Sequence, residues 1–355
     1  MATAILEAEV VKLDAHPIPL VVDPREQLLM LVRGSQITIP DLQSMISHWP
    51  QGIHPEIEKL DEYVQETLQY ILPSSDDEKR LRKMTASKFD LFGASWWPYA
   101  SYEALRVVTC MSIWLFAWDD ETDSLEFTSV SNDWSKASTF REKTIEYLQH
   151  SLSGSSKIGL SGRSTDPFIT SFRPVGEAIS KTCNDRQIST LLDELVFFVN
   201  MSAEEQKLQV MHRLPTIKEY MQRRLGTSAV RVCLATIEYA YGITLSKEIL
   251  DDEAMQCIWH ETNVIVSVTN DILSVRKEVA QSQVDSLIPL LAPQLGSAQA
   301  AINHAVEIVQ SSIQRFEQAE KQILEGYAQE PEVYEDVRKF IEGCKYACTS
   351  NLNWR

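Results

Sequence analysis

The segment Val107-Val108-Thr109-Cys110-Met111-Ser112-Ile113-Trp114-Leu115-Phe116-Ala117-Trp118 limits what this chain can fold into more than any other. Wound as a helix it has almost no polar face, and a helix that is apolar all round must lie inside a protein, surrounded by other elements. It runs straight into Asp119-Asp120-Glu121-Thr122-Asp123. Four acids at the end of a buried helix need a partner, because an uncompensated charge is costly to remove from water. The same anomaly recurs about 150 residues later, where the apolar face carrying Trp259, Thr262, Ile265 and Val266 leads into Asn270. Helical periodicity recurs through most of the chain, few segments alternate as strands do, and glycines number only 12. An all-α fold follows. Short breaks are expected near Pro40, Pro50-Gln51-Gly52, Pro73, Pro98 and Pro289, and the Ser/Gly-rich stretch from Ser151 to Pro167 reads as an exposed loop.

Spacing gives the acids a chemistry. A helix turns about 100° per residue, so Asp119 and Asp123 share one face. Asn270, Ser274 and Glu278 stand at i, i+4 and i+8, stacking an amide oxygen, a hydroxyl and a carboxylate along one stripe. All are hard oxygen donors. Neither helix offers enough of them to complete an octahedral magnesium shell, so waters and phosphate oxygens would supply the rest. An acidic cluster standing alone reads as a solvated helix end, and Asp76-Asp77-Glu78 and Asp251-Asp252-Glu253 are assigned to helix starts.

With these two motifs the chain resembles the class I terpene synthases, most closely the fungal sesquiterpene cyclases. Asp119 to Asp123 fits that family's aspartate-rich motif, and Asn270, Ser274 and Glu278, with Lys277 before the final acid, fit its asparagine/serine/glutamate motif. Arg224 falls where the family places a diphosphate-sensing arginine, within Tyr220-Met221-Gln222-Arg223-Arg224-Leu225-Gly226-Thr227-Ser228, with Arg223 as the alternative. The resemblance covers roughly residues 80 to 355, leaving 1–70 less distinctive, and implies a single helical-bundle domain around a deep apolar cavity. It also implies three Mg2+ ions with bound diphosphate. Asp119 would bridge two of them, Asn270, Ser274 and Glu278 would hold the third, and Asp123 would support them. Lys277 and Arg224 would grip the diphosphate. The implied reaction is ionisation and cyclisation of a prenyl diphosphate, farnesyl diphosphate above all. The family closes its site with an Arg-Tyr pair shortly after a stretch like Asn351-Leu352-Asn353-Trp354; this chain stops at Arg355, and a truncated C-terminus is the expectation.

A carbocation survives only where water is excluded and the walls are weak bases, and aromatic faces meet that demand, each ring contributing roughly 0.5–2 kcal/mol of cation–π attraction. Phe89, Phe116 and Trp354 are the expected cavity rings, with Phe198 as a further substrate contact. Phe197 and Phe198, followed by Asn200 and Met201, resemble the kinked middle helix whose backbone carbonyl faces the cation in this family.

Charge and composition fit a helical enzyme of this kind. A net charge of −17 disfavours nucleic acid and anionic membrane surfaces alike. No run of about 18 apolar residues occurs and the opening residues carry acids, so neither a stable membrane anchor nor a signal peptide is expected, and the location is taken as cytoplasmic. The six cysteines lack metal-binding spacing and read as free thiols. Oligomeric state is not legible. The alternatives are a chain-elongating prenyltransferase, which carries two aspartate-rich motifs where this chain has one, a monoterpene or diterpene synthase, and a non-catalytic helical interaction protein.

Overall fold

The computed structural model describes residues 23–72, 78–123, 130, 133–153 and 164–354, with the Asp123 side chain left outside. These residues form helices only: α1 (Pro24–Val32), α2 (Leu42–Met45), α3 (Ile57–Ile71), α4 (Glu78–Ala86), α5 (Phe89–Trp96), α6 (Tyr102–Asp123), α7 (Trp134–Leu152), α8 (Pro167–Thr170) and α9 (Arg173–Thr182). There follow α10 (Asp185–Val210), α11 (Ile217–Thr227), α12 (Val230–Leu234), α13 (Ile237–Tyr241), α14 (Lys247–Leu250), α15 (Glu253–Ala280), α16 (Leu287–Leu295), α17 (Ala298–Gly326) and α18 (Pro331–Asn353). The fold is the all-α one that the two buried helices require.

Local chemistry sets the boundaries of the helices that matter most. Asn184 and Gln187 form a reciprocal capping box at the start of α10, Thr216 and Glu219 do so for α11, and Asp252 caps α15 by accepting from the Ala254 N–H. From Ile113 to Trp118, every α6 side chain but Phe116 is at most 4% exposed, as expected of a helix with no polar face. Around it lie α3, α5, α9 and α13, while α15 packs along α17 and α18 and α10 along α7 and α11. Two glycines allow the closest approaches. A Cβ on Gly93 would overlap Thr109 Oγ1 where α5 lies on α6, and one on Gly226 would overlap Met201 where α11 lies on α10. Among the described residues no helix is long and apolar enough to cross a membrane.

The break expected near Pro289 spans residues 281–286, between α15 and α16. Pro289 itself lies in the first turn of α16, where its missing N–H would have no intrahelical partner in any case. α10, which carries Phe197–Met201, runs unbroken from Asp185 to Val210. A helix interruption comes between α11 and α12, where Ala229 adopts φ +56°. Asn263 of α15 pins this break, its Nδ2 donating to the Leu225 carbonyl and to Ser228 Oγ, both at 3.0 Å. Residues 154–163 of the expected loop, Asp76, Asp77 and Arg355 lie outside the described residues.

Candidate active site

The acids at the end of α6 divide into two groups. On one side α4 supplies cations: Arg80, 3% exposed, donates to the Glu121 carboxylate and the Ala117 carbonyl, and Lys83 Nζ stands 3.3 Å from Asp120 Oδ1. Asp119, a residue earlier and so about 100° round the helix, interacts instead with Glu205 of α10 and Arg224 of α11. Burial pushes its carboxyl up to about 7, helped by the negative charges of Glu205 and Asp120 and opposed by Arg224 and Lys83. Burial also raises Glu205, against the pull of Arg223 and Arg224. A cation beside Asp119 would relieve the repulsion it feels from Glu205 and Asp120.

The stripe on α15 faces the same region. Ser274 Oγ lies 2.7 Å from both the Asn270 carbonyl and Glu278 Oε1 and donates to one at a time, while Ser286 Oγ donates to Glu278 Oε2 at 2.7 Å. Burial and the neighbouring Asp271 raise the Glu278 carboxyl, and the two serine hydroxyls offset part of that rise. Arg224 Nη2 donates to Asn270 Oδ1 at 3.3 Å and to Asp271 Oδ1 at 3.1 Å. Its Nε is buried and has no hydrogen-bond partner. Arg223 turns the other way, onto Glu205 at 3.1 Å, so Arg224 is the member of the pair that reaches the α15 stripe. Lys277 stands exposed at the same end of α15, and the Asp123 side chain lies outside the described residues.

Four rings gather one turn along α6 from the acids. Phe116 is 40% exposed although Leu115 and Ala117 on either side of it are buried, so its ring opens onto accessible space. Phe89 lies 5.2 Å from it and Trp354 5.7 Å, and Phe92 packs edge-on against Trp354 at 5.0 Å. The Trp354 indole is held from behind, donating to the Ser87 carbonyl at 2.6 Å. Phe198 is placed elsewhere: it is 1% exposed and packs on Trp118 at 5.1 Å, in the core between α6 and α10.

Several residues carry the site without having been singled out by their sequence. Asp271, 1% exposed, accepts from the Tyr220 hydroxyl, from Arg224 and from the Leu287 N–H at 3.3 Å, tying α15 to α11 and α16. It stands beside Asn270, about 100° off the stripe, and no spacing in the sequence marks it. Nor does any spacing mark Glu205, Arg80 or Asn263, whose contacts come from partners distant in sequence. Phe92, a candidate ring by its place beside Phe89, joins the group because both lie on α5 within one turn.

The profile described as terpene synthase family 2, C-terminal metal binding, matches residues 110–315, which include Asp119–Asp123 and Asn270–Glu278. The chain is 30% identical over 341 residues to the sesquiterpene cyclase hepA of Aspergillus oryzae, covering 94% of this chain and 91% of the relative. The terpene cyclase braA of Annulohypoxylon truncatum is 24% identical, covering 94% of this chain and 88% of its own length. Among solved structures, hedycaryol synthase in complex with HEPES superposes with a TM-score of 0.74 at 17% identity, covering 90% of this chain and 98% of the other. A point variant of cucumene synthase gives 0.72 at 17%, covering 86% and 96%. These two likenesses show the shared fold, which is that of class I terpenoid synthases. By its profile match and by its relationship to hepA over nearly its whole length, the chain belongs to the terpene synthase family.

Proposed function

We propose that this enzyme ionises and cyclises farnesyl diphosphate in a Mg2+-dependent reaction, releasing diphosphate and a sesquiterpene. One observation carries the reading: two sets of hard oxygens, Asp119 on α6 and Asn270, Ser274 and Glu278 on α15, flank Arg224, whose buried Nε has no partner. A cationic donor left unsatisfied in a buried place costs free energy, and a phosphate oxygen would satisfy it. The fifteen-carbon substrate is supported by the relatives named as sesquiterpene cyclases.

The donor set fits a divalent cation. Its oxygens are hard ligands, Ser274 and Ser286 already orient Glu278, and Asp119 is destabilised by neighbouring negative charge that a cation would relieve. Bound divalent ions would act as Lewis acids that neutralise the departing diphosphate. Arg224 would donate to a phosphate oxygen, and Lys277, exposed at the end of the same stripe, would add a second positive charge. The allylic C–O bond breaks heterolytically and its electron pair leaves on the diphosphate oxygen. The cation left on carbon then attacks a distal double bond. Loss of a proton yields a hydrocarbon, and capture of water followed by loss of a proton yields an alcohol.

Phe116 and Trp354, with buried Phe89 and Phe92 packed against them, would form a neutral wall that attracts the cation without forming a bond. Replacing Phe116 with Ala removes the exposed member of the group. The expected outcome is a redistribution of products, seen by gas chromatography, with total turnover reduced by less than about tenfold, because one ring contributes roughly 0.5–2 kcal/mol. An unchanged product profile would remove Phe116 from the cavity wall.

Binding of metal should also depend on pH. A proton on Asp119 competes with a cation for the same oxygens, and that carboxyl titrates near 7 in the metal-free protein. Calorimetric titration of Mn2+ in the presence of diphosphate should therefore show affinity about tenfold higher at pH 8 than at pH 6. Equal affinity at the two values would contradict the assignment of Asp119.

The direct test of function is incubation with farnesyl diphosphate with and without Mg2+, followed by gas chromatography–mass spectrometry of an organic extract and assay of free diphosphate. A cyclic fifteen-carbon product that needs the metal is the expected result. Diphosphate release without a cyclic product would overturn it.

A further inference from the structure

The end of α6 raises a question that its metal chemistry does not answer: what holds Asp119 in place. The last turn of α6 carries Asp119, Asp120, Glu121 and Asp123 at the helix C-terminus, the end where the backbone dipole is already negative. Mutual repulsion there would fray the turn. Arg80 opposes it from α4. Its guanidinium donates one nitrogen to the Glu121 carboxylate and another to the Ala117 carbonyl, and its Nε lies 3.9 Å from Asp120 Oδ2. A face of the guanidinium lies over the Phe168 ring, 4.3 Å from its centroid. Phe168 in turn is fixed to α6, because its carbonyl accepts from Trp114 Nε1 at 2.8 Å. Arg80 is thus a buried wedge between α4, α6 and α8 that reaches the backbone and side chains of one helical turn.

We infer that Arg80 is a positioning residue for metal binding: by gripping Glu121 and the Ala117 carbonyl it fixes the rotation of the last turn of α6 and so aims Asp119 at Arg224 and the α15 stripe. The inference rests on the proposed role of Asp119. A helical turn fixed at residues 117 and 121 leaves residue 119 a single direction, about 100° from Asp120. The ion pairs made by Arg80 and Lys83 also withdraw Asp120 and Glu121 as competing ligands. A guanidinium is required rather than an ammonium, since only a planar fork can serve a carboxylate and a carbonyl at once while stacking on a ring.

The test compares wild-type protein with Arg80→Lys, with the double variant Arg80→Gln/Glu121→Gln, and with Arg82→Gln as control. Arg82 is the exposed neighbour that pairs with Glu78 on its own helix. The double variant removes both buried charges together, so no orphaned carboxylate unfolds it, and thermal melting identifies which proteins are folded. Calorimetry of Mn2+ with inorganic diphosphate reads metal binding without turnover, and steady-state assays read the Mg2+ concentration for half-maximal rate and the substrate KM. Expected are a weakening of Mn2+ binding by about 10–100-fold in each folded Arg80 variant, a parallel rise in half-saturating Mg2+, and a KM at saturating Mg2+ that changes by less than about threefold. Arg82→Gln should match wild type. A purely structural role would lower the melting temperature and leave metal affinity alone. Folded Arg80 variants that bind Mn2+ within about twofold of wild type would overturn the inference while leaving the site standing. A wild-type protein that takes up neither Mn2+ nor diphosphate would overturn the reading of the site, and the inference with it.

Discussion

Asp119→Asn is expected to reduce turnover by at least about 10²–10³-fold while making the metal-free protein more resistant to heat at pH 8. The first effect arises because an amide keeps the shape of the side chain but loses the charge that would bridge cations. The second is a matter of linkage. The folded protein raises the Asp119 carboxyl from 3.8 to about 7, so the folded state binds that proton more tightly than the unfolded chain does. The stabilisation this gives is fully present below pH 3.8 and is lost as pH rises through 7; at pH 8 the ionised carboxylate opposes folding. Removing the charge relieves that opposition. Steady-state rates and calorimetric melting in chelator at pH 8 measure the two effects together. Lost activity without a gain in stability would place Asp119 in a more solvated setting than its neighbours Glu205 and Asp120 imply.

Asp271→Ala should damage the fold more than any change in the motif residues beside it. The Asp271 carboxylate is buried and serves Tyr220, Arg224 and the backbone of Leu287 at once. Taking away one partner of a buried pair leaves the other charge uncompensated, a loss of about 3–5 kcal/mol. In a chain of 355 residues that corresponds to a fall in melting temperature of roughly 4–7 °C. Arg224 would lose its carboxylate partner and keep only Asn270 on α15, so activity measured well below the melting point should also fall, by about 10–100-fold as for other supporting residues. Tyr220→Phe removes only one hydrogen bond, made to a charged group, and should cost about 1.5–3 kcal/mol. A variant of Asp271 that melts like wild type would mean that α11 and α16 are held to α15 by apolar packing alone.

What could be read from the sequence was whatever depends on neighbours along one helix. The all-round apolar run before Asp119 dictated burial and hence a helical fold, and the i, i+4, i+8 spacing put Asn270, Ser274 and Glu278 on one stripe, where Ser274 does meet Glu278. Contacts between helices were harder. Phe89, Phe116 and Trp354 come from three different helix ends, and no spacing rule states that they touch; they were chosen for their place relative to the metal helix. Phe198 is implied only by the likeness of its stretch to the family's middle helix, and α10 turns it into the core against Trp118. Arg223 and Arg224 are one residue apart, so only the packing of α11 on α10 and α15 decides that the first pairs with Glu205 and the second with Asn270. Asp271 and Arg80 are not legible, because a charged side chain reads as solvated until its buried partner is known. The interruption between α11 and α12 is illegible for a related reason: it depends on Asn263 of α15 holding Leu225 and Ser228, which is not visible in either stretch alone.

The most direct test of the site is a crystal structure of the protein grown with Mn2+ and diphosphate, in which anomalous scattering locates each metal ion independently of the protein. Ions on Asp119 and on the Asn270, Ser274 and Glu278 oxygens, bridged by a diphosphate that also accepts from Arg224, are the expected result. Diphosphate bound without metal at these residues, or Mn2+ bound only elsewhere, would contradict it.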